Sequence, residues 1–423
     1  MKRWGVFLVA LAIGAANAII FKVFEYIVNH GQELVWNDWF DTDTTRWLVV
    51  PLAIILSLLL SVIIRTLREP RWIKPELQLE IEDNNKPSVG AIGKTLTIGA
   101  SGLVAGASLG PEMPLTHSSI GIGAWVRHKL GYDKNIGSVL VEASVGSLLV
   151  AFLGSLMLVL LPLLIVYQKT KKLTITATTT IALAGIGAYG TLWLLDHHVH
   201  GYGVIPVSYS ATVSDYIGAI VTGLLISIVA LALVRLIRRF AEYTHRVDRE
   251  WPWYISASLF GLVLGGLYLL GGQAVQFSGT AGIGIVLSNP GQYGTWALLG
   301  LVIVKLAATA WSKSTGYRGG LYFPSIFAGV CMGLFVQSIA GSLTGPGVTV
   351  GAIAAVFMAL SIPDKTHLTR QEYLRAAIIA LLFMAALLPV QLIPLIVVAI
   401  VATFVGNKQL VRLFPGRASH PTT

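Results

Sequence analysis

Ser108-Leu109-Gly110-Pro111-Glu112-Met113-Pro114 sets an acid between two prolines in the midst of apolar sequence. A glycine-rich apolar run, 98–109, leads into it, and another apolar run follows. Proline suits the first helical turn, where its missing N–H would have no partner anyway. Pro114 is therefore expected at the first helical position, with Glu112 just outside the helix. A helix starting there aims its free N–H groups and the positive end of its dipole at whatever precedes it. Inside a membrane such an end suits an anion, and Glu112 is the anion the chain supplies itself.

The surroundings are those of a membrane protein. Hydrophobic residues make up 55% of the 423 and charged residues 12%, which is about half the charge of an ordinary soluble chain. Long apolar runs cover 4–28, 47–64, 136–167, 174–195, 216–234, 253–270, 296–310 and 376–405. Several reach the roughly 18 residues needed to cross the hydrocarbon layer. The fold class expected is all-α, integral to the membrane. Lys2 and Arg3 precede the first run as in a signal peptide, but its length and the many spans behind it mark a retained first helix. A single cysteine, Cys331, excludes an intrachain disulfide and a cysteine-based metal site. The net charge of +10 comes from basic residues beside spans, which argues against nucleic acid as a partner.

Those basic clusters set an orientation. Lys2 and Arg3, then 65–74, 169–172, 235–249 and 408–417 are expected in the cytoplasm, with 38–43 and 196–214 outside. Both termini are then cytoplasmic and the membrane is the cell (plasma) membrane. Other apolar segments, 89–110, 115–126, 319–340 and 348–362, are short or broken by Gly and Pro. Discontinuous helices at corresponding places in two halves are the pattern of a transport site near the membrane midplane. Pro111 and Pro324 lie 213 positions apart (324 − 111), about half the chain, so 1–205 and 206–407 are expected as half-repeats with 408–423 as a short tail. No soluble regulatory domain is expected in the about 15 residues after Asn407. The second break runs from Ser314 through Gly316, Gly319, Gly320, Leu321, Tyr322 and Phe323 to Pro324 and Ser325. Pro324 suits a second helix start facing the first, and Leu321 and Tyr322 are expected to act through their backbone N–H groups.

These two stretches resemble the CLC chloride channel and transporter family, and within it a bacterial ion-transport-protein branch that likewise reads Ser-Leu-Gly-Pro-Glu. Gly110-Pro111-Glu112-Met113-Pro114 is similar to the family's gating-glutamate motif, and Gly319-Gly320-Leu321-Tyr322-Phe323-Pro324 to its second anion-binding motif. Lys305 matches a basic position the family often has upstream. The resemblance implies inverted-topology repeats with many tilted, discontinuous helices, a homodimer with one pore per subunit, and passage of small monovalent anions, chloride first. Glu112 would be the gate, and Gly110, Pro111, Met113, Gly319, Gly320, Leu321, Tyr322, Phe323 and Pro324 would frame the anion. Other positions depart from the family. Residues 72–76 contain no serine where its first motif would supply one, and no tyrosine stands at 389–391. Pro111 replaces an arginine, and Leu161 or Pro162 stands where its internal proton-transfer glutamate would align. The last departure favours a passive conduit over proton exchange.

Lys305, deep in an apolar run, is expected as a fixed positive charge for the pore, or else as a snorkelling lysine. Glu142 is a candidate proton relay, or an acid at a span end near Asp133 and Lys134. Asp196, His197, His198 and His200 have metal-ligand residue types but read better as a solvated outer loop, so no metal, no cofactor and no enzyme chemistry is expected. The rival readings are proton-coupled exchange, a pore for nitrate or fluoride, and a regulatory or structural membrane subunit that conducts nothing.

Overall fold

The computed structural model describes residues 3–42, 44–72, 88–197, 211–340, 346–361 and 370–413, and these are almost entirely helical. The first half runs α1 (Arg3–Gln32), α2 (Val49–Thr66), α3 (Val89–Val104), α4 (Glu112–Lys129), α5 (Lys134–Leu153), α6 (Leu160–Thr170) and α7 (Ile175–Asp196). The second runs α8 (Val213–Glu250), α9 (Trp253–Gly271), α10 (Thr280–Ser288), α11 (Thr295–Ser314), α12 (Tyr322–Ala340), α13 (Pro346–Ser361), α14 (Arg370–Leu387) and α15 (Ile393–Leu413). Nine helices among the described residues are long and apolar enough to cross a bilayer. Large apolar side chains such as Leu8, Leu59, Ile186, Ile228 and Ile303 stay exposed on them, as a lipid-facing surface requires.

Helix starts follow local chemistry. Ser88 accepts from the Ala91 N–H, Asp133 from Ile136 at 2.8 Å and Thr174 from Ala177 at 3.2 Å. Thr212 and Asp215 form a reciprocal capping box ahead of α8.

Three apolar runs divide differently from their hydropathy. The run 136–167 is not one span: Gly154, at φ +67°, ends α5 in a left-handed turn that few other residues adopt, and α6 begins anew at Leu160. Likewise 376–405 breaks at Pro389 between α14 and α15. Conversely α8 does not stop at 234 but carries its basic cluster on the same helix to Glu250, until Pro252. Its 38 residues are about 57 Å long, well beyond the hydrocarbon layer, so the arginines ride on a helical extension rather than a loop. The last helix also continues through Lys408 to Leu413, past the point where a tail is expected to begin. The expected boundary between halves, at 205, lies outside the described residues.

The two halves repeat one packing scheme. α1 packs on α7 as α8 packs on α15, α5 on α7 as α13 on α15, α4 on α5 as α12 on α13, and α3 on α4 as α11 on α12. The helices α2 and α9, counterparts in that scheme, pack on each other across the halves. A buried polar knot fixes α4 within the first half. The Asn17 side-chain amide donates to the Ser144 carbonyl at 3.1 Å and to the Ser144 and Ser147 hydroxyls, both at 2.9 Å. The Ser144 hydroxyl in turn donates to the Ser119 carbonyl at 2.7 Å. The segment after α2 clamps onto the second half. Trp72 Nε1 donates to the Ser314 carbonyl at 2.9 Å, and Arg318 donates to the Pro70 carbonyl at 2.9 Å.

Candidate anion site

Two helix N-termini meet where α4 and α12 begin. Gly110 donates to the Gly320 carbonyl at 2.9 Å, and Gly320 donates back to the Gly110 carbonyl at 2.7 Å. The stretches before the helices are thereby held side by side. A second lock joins them: the Ser108 N–H donates to the Ser312 hydroxyl at 3.0 Å, and the Ser108 hydroxyl lies 3.3 Å from that of Thr309.

The helix starts differ slightly in register from expectation. Pro111 is the N-cap of α4, so Glu112 is the first helical residue and Pro114 the third. Proline is harmless there too, because no N–H of the first turn has a helical partner. The matching residue of Pro111 is also not Pro324. Gly110 and Gly320, Glu112 and Tyr322, and Pro114 and Pro324 are each 210 positions apart (320 − 110, 322 − 112, 324 − 114), and both helices begin at the middle pair.

Glu112 lies across this junction. Its side chain is buried, and Oε1 accepts from the backbone N–H groups of Tyr322 at 3.1 Å and Phe323 at 3.4 Å. Those are the free donors at the start of α12, one residue further on than the expected pair Leu321 and Tyr322. The carboxylate thus occupies the place of an anion at a helix end. Its Oε2 is buried and has no hydrogen-bond donor among the described residues. A Cβ built on either Gly110 or Gly320 would fall on this carboxylate, so both positions must lack a side chain for Glu112 to dock.

One basic group that sequence reasoning passed over completes the site. Lys313, in the last turn of α11, places Nζ 3.1 Å from the Met113 sulfur and 3.2 Å from the Gly319 carbonyl, and it interacts electrostatically with Glu112. His117, on α4, interacts with the same lysine. The side chains beyond the amides are apolar. Phe323 meets Phe152 edge-on with ring centres 5.5 Å apart, and the Tyr322 ring lies 5.4 Å from those of both Phe357 and Phe383. Tyr322 therefore presents its amide to Glu112 and packs its ring.

The structure brings together Gly110, Pro111, Glu112, Met113, Gly319, Gly320, Tyr322 and Phe323. Leu321 and Pro324 open α12, where the Leu321 carbonyl accepts from Ser325 at 3.2 Å. Lys305 serves a different neighbourhood, bonding the carbonyls of Val275 at 2.8 Å and Phe277 at 2.7 Å. Glu142 sits on α5, not on either broken helix, and pairs with Lys169 at 2.8 Å. Leu161 and Pro162 are buried in the first turn of α6. His197 caps α7; His198 and His200 lie outside the described residues, as do 73–76 of the segment without a serine. Among the described residues no cluster of three metal-ligating side chains exists.

Residues 74–407 match the family model described as voltage gated chloride channel. The chain is 24% identical over 342 residues to "Putative ion-transport protein YfeO" of Escherichia coli strain 55989, which covers 78% of each protein. Among solved structures, a slow cyanobacterial Cl−/H+ antiporter superposes with a TM-score of 0.75 at 15% identity, covering 97% of this chain and 95% of the other. A CLC-type fluoride/proton antiporter gives 0.65 at 15% identity, covering 96% and 95%. At such identity the two structures speak for the fold alone.

Proposed function

Because the chain belongs to the voltage-gated chloride channel family, CLC, and is an integral membrane protein of that anion-transporting family, we propose that it passes small monovalent anions, chloride first, through the junction of α4 and α12 under control of Glu112. The observation that carries this reading is the docking of Glu112 Oε1 on the amides of Tyr322 and Phe323. A carboxylate there is a tethered competitor for a permeating anion. While ionised, it satisfies the two donors and the positive helix end, and the anion is shut out. A proton arriving at Oε2 breaks no hydrogen bond among the described residues, since that oxygen has no donor there. Neutralised, the side chain loses its attraction to the helix end and swings away, and an anion takes the amides. Lys313 stands beside the anion position, where its attraction to Glu112 would act equally on a replacing anion.

Passive flow is placed ahead of proton-coupled exchange because apolar Leu161 and Pro162 stand where the family's internal glutamate would align. Fluoride remains a rival to chloride, since one structural neighbour is a fluoride/proton antiporter. Nitrate is a further rival, and amide donors at a helix end accept all three. We further assign a homodimer in the cell membrane with both termini in the cytoplasm. Glu142 is kept as the candidate relay for the exchange reading. Efflux of chloride, fluoride and nitrate from proteoliposomes, with external pH recorded together, tests the proposal. Chloride loss without proton movement is expected; stoichiometric proton counterflow would favour exchange, and no flux of any anion would favour a non-conducting subunit.

A further inference from the structure

Lys305 is fully buried in the middle of α11, and it has no carboxylate partner among the described residues. Its Nζ donates to the Val275 and Phe277 carbonyls and stands 5.5 Å from the ring centre of Phe327. Carbonyl oxygens solvate an ammonium without neutralising it, so a protonated Lys305 has no counter-charge among the described residues. Those two carbonyls belong to the segment leading into α10, and that segment walls a cavity of about 500 Å³ beside the C-terminal end of α1.

The cavity lining includes the neutral hydrogen-bonding side chains Asn29, Gln32, Gln273, Gln276, Ser278 and Thr280, beside apolar Phe277, Ala281 and Ile285. No charged residue lines it among the described residues. Gln276 is only 7% exposed, yet its amide makes no hydrogen bond among the described residues and fronts the cavity. Gly279, the N-cap of α10, is also in the wall, and a Cβ built on it would stand 3.0 Å from the Lys305 Nζ. The buried ammonium is thus immediately behind the lining. A chamber with the Gln276 amide in its wall, a helix start and a buried lysine at its back disfavours cations. It offers neutral solutes no electrostatic gain.

We propose that this chamber is a second binding site for a small monovalent anion, which serves as the counter-ion of Lys305 and stages ions for the Glu112 junction; the staging role rests on the transport reading above. The wall is wired to that junction. The Phe277 N–H donates to the Tyr268 hydroxyl at 3.0 Å, which donates to the Gly106 carbonyl at 2.6 Å, just ahead of Ser108. Gln276→Leu removes the free amide while leaving Lys305 and the fold alone; Lys305→Met removes the charge.

The test uses radiolabelled chloride on the full chain in two readouts. In equilibrium binding to purified protein at alkaline pH, where Glu112 fills its own site, the wild type should retain one chloride per chain. Gln276→Leu should bind about fivefold more weakly, the weight of one hydrogen bond, and Lys305→Met should lose binding. In proteoliposomes, Gln276→Leu should raise the half-saturating chloride concentration by a similar factor without altering the pH dependence set by Glu112. Binding and half-saturation that stay within twofold of wild type in Gln276→Leu would overturn the second site, whether or not Lys305→Met folds. Binding with this variant sensitivity but no flux in the wild type would overturn the transport reading and leave the site standing.

Discussion

Gly110 and Gly320 exchange both main-chain hydrogen bonds, at 2.9 and 2.7 Å, although they are 210 positions apart (320 − 110). A reciprocal pair is what two equivalent residues make when the halves of an inverted repeat face each other across an axis. Two residues further along in each half stand Glu112 and Tyr322, where the halves cease to be equivalent: one contributes a carboxylate and the other the amide that receives it. The proposed gate is thus an asymmetry in an otherwise repeated junction.

Glu112→Gln should abolish the pH dependence of anion flux. In the proposed mechanism the ionised carboxylate blocks and the neutral one releases, so wild-type flux should rise as pH falls and level off once Glu112 is protonated. The glutamine variant has no charge to lose and should run at or above the wild-type acid rate at every pH. Efflux from proteoliposomes across a pH series checks this; a variant that keeps the wild-type slope would count against Glu112.

Gly320→Ala should act on the same step from the other side. The added Cβ falls on the docked carboxylate, so Glu112 cannot reach the Tyr322 amide, and flux should lose most of its pH dependence. Tyr322→Phe, which leaves the amide and the ring packing in place, should change flux less than twofold. Equal effects of the two substitutions would mean that the side chain, not the backbone, carries the site.

Lys313→Met should weaken anion binding at the junction, raising the half-saturating concentration by about tenfold. Lys313→Arg should recover part of the loss, because a positive charge is restored. Concentration-dependent flux reads both, and an unchanged half-saturation in Lys313→Met would remove this lysine from the site.

Asn17→Leu should destabilise the protein without touching the gate. It deletes the amide that ties α1 to α5 and leaves the Ser144 and Ser147 hydroxyls short of a donor. Interhelical hydrogen bonds in membranes are individually weak, so about 1–2 kcal/mol is expected for the group. Unfolding in mixed micelles measures the loss, while the flux profile of the surviving protein should match wild type.

Much of this was legible before any coordinates. An acid between two prolines in an apolar run, and a glycine-rich break half a chain later, carry their meaning locally, because capping and dipole physics act within one turn. Registers were less legible. Pro111 looked like the partner of Pro324, but equivalence is set by which glycines meet, and only the fold pairs Gly110 with Gly320. Lys313 was missed because, in sequence, it is a lysine at the end of a span, where such residues commonly reach for water. Its approach to Met113 comes from a residue 200 positions away. The turn at Gly154 was hidden for the opposite reason, since an apolar run with a buried break has the same hydropathy as a straight span. The chamber in front of Lys305 was invisible altogether, because its walls come from the end of α1 and from the segment before α10.

In the proposed mechanism an anion and the Glu112 carboxylate compete for the same amides. Anomalous diffraction from crystals of Glu112→Gln grown in bromide tests it most directly. A bromide peak within hydrogen-bonding reach of the Tyr322 and Phe323 N–H groups, with the glutamine side chain displaced, is the predicted result. Bromide absent from those amides, with the glutamine still docked on them, would contradict it.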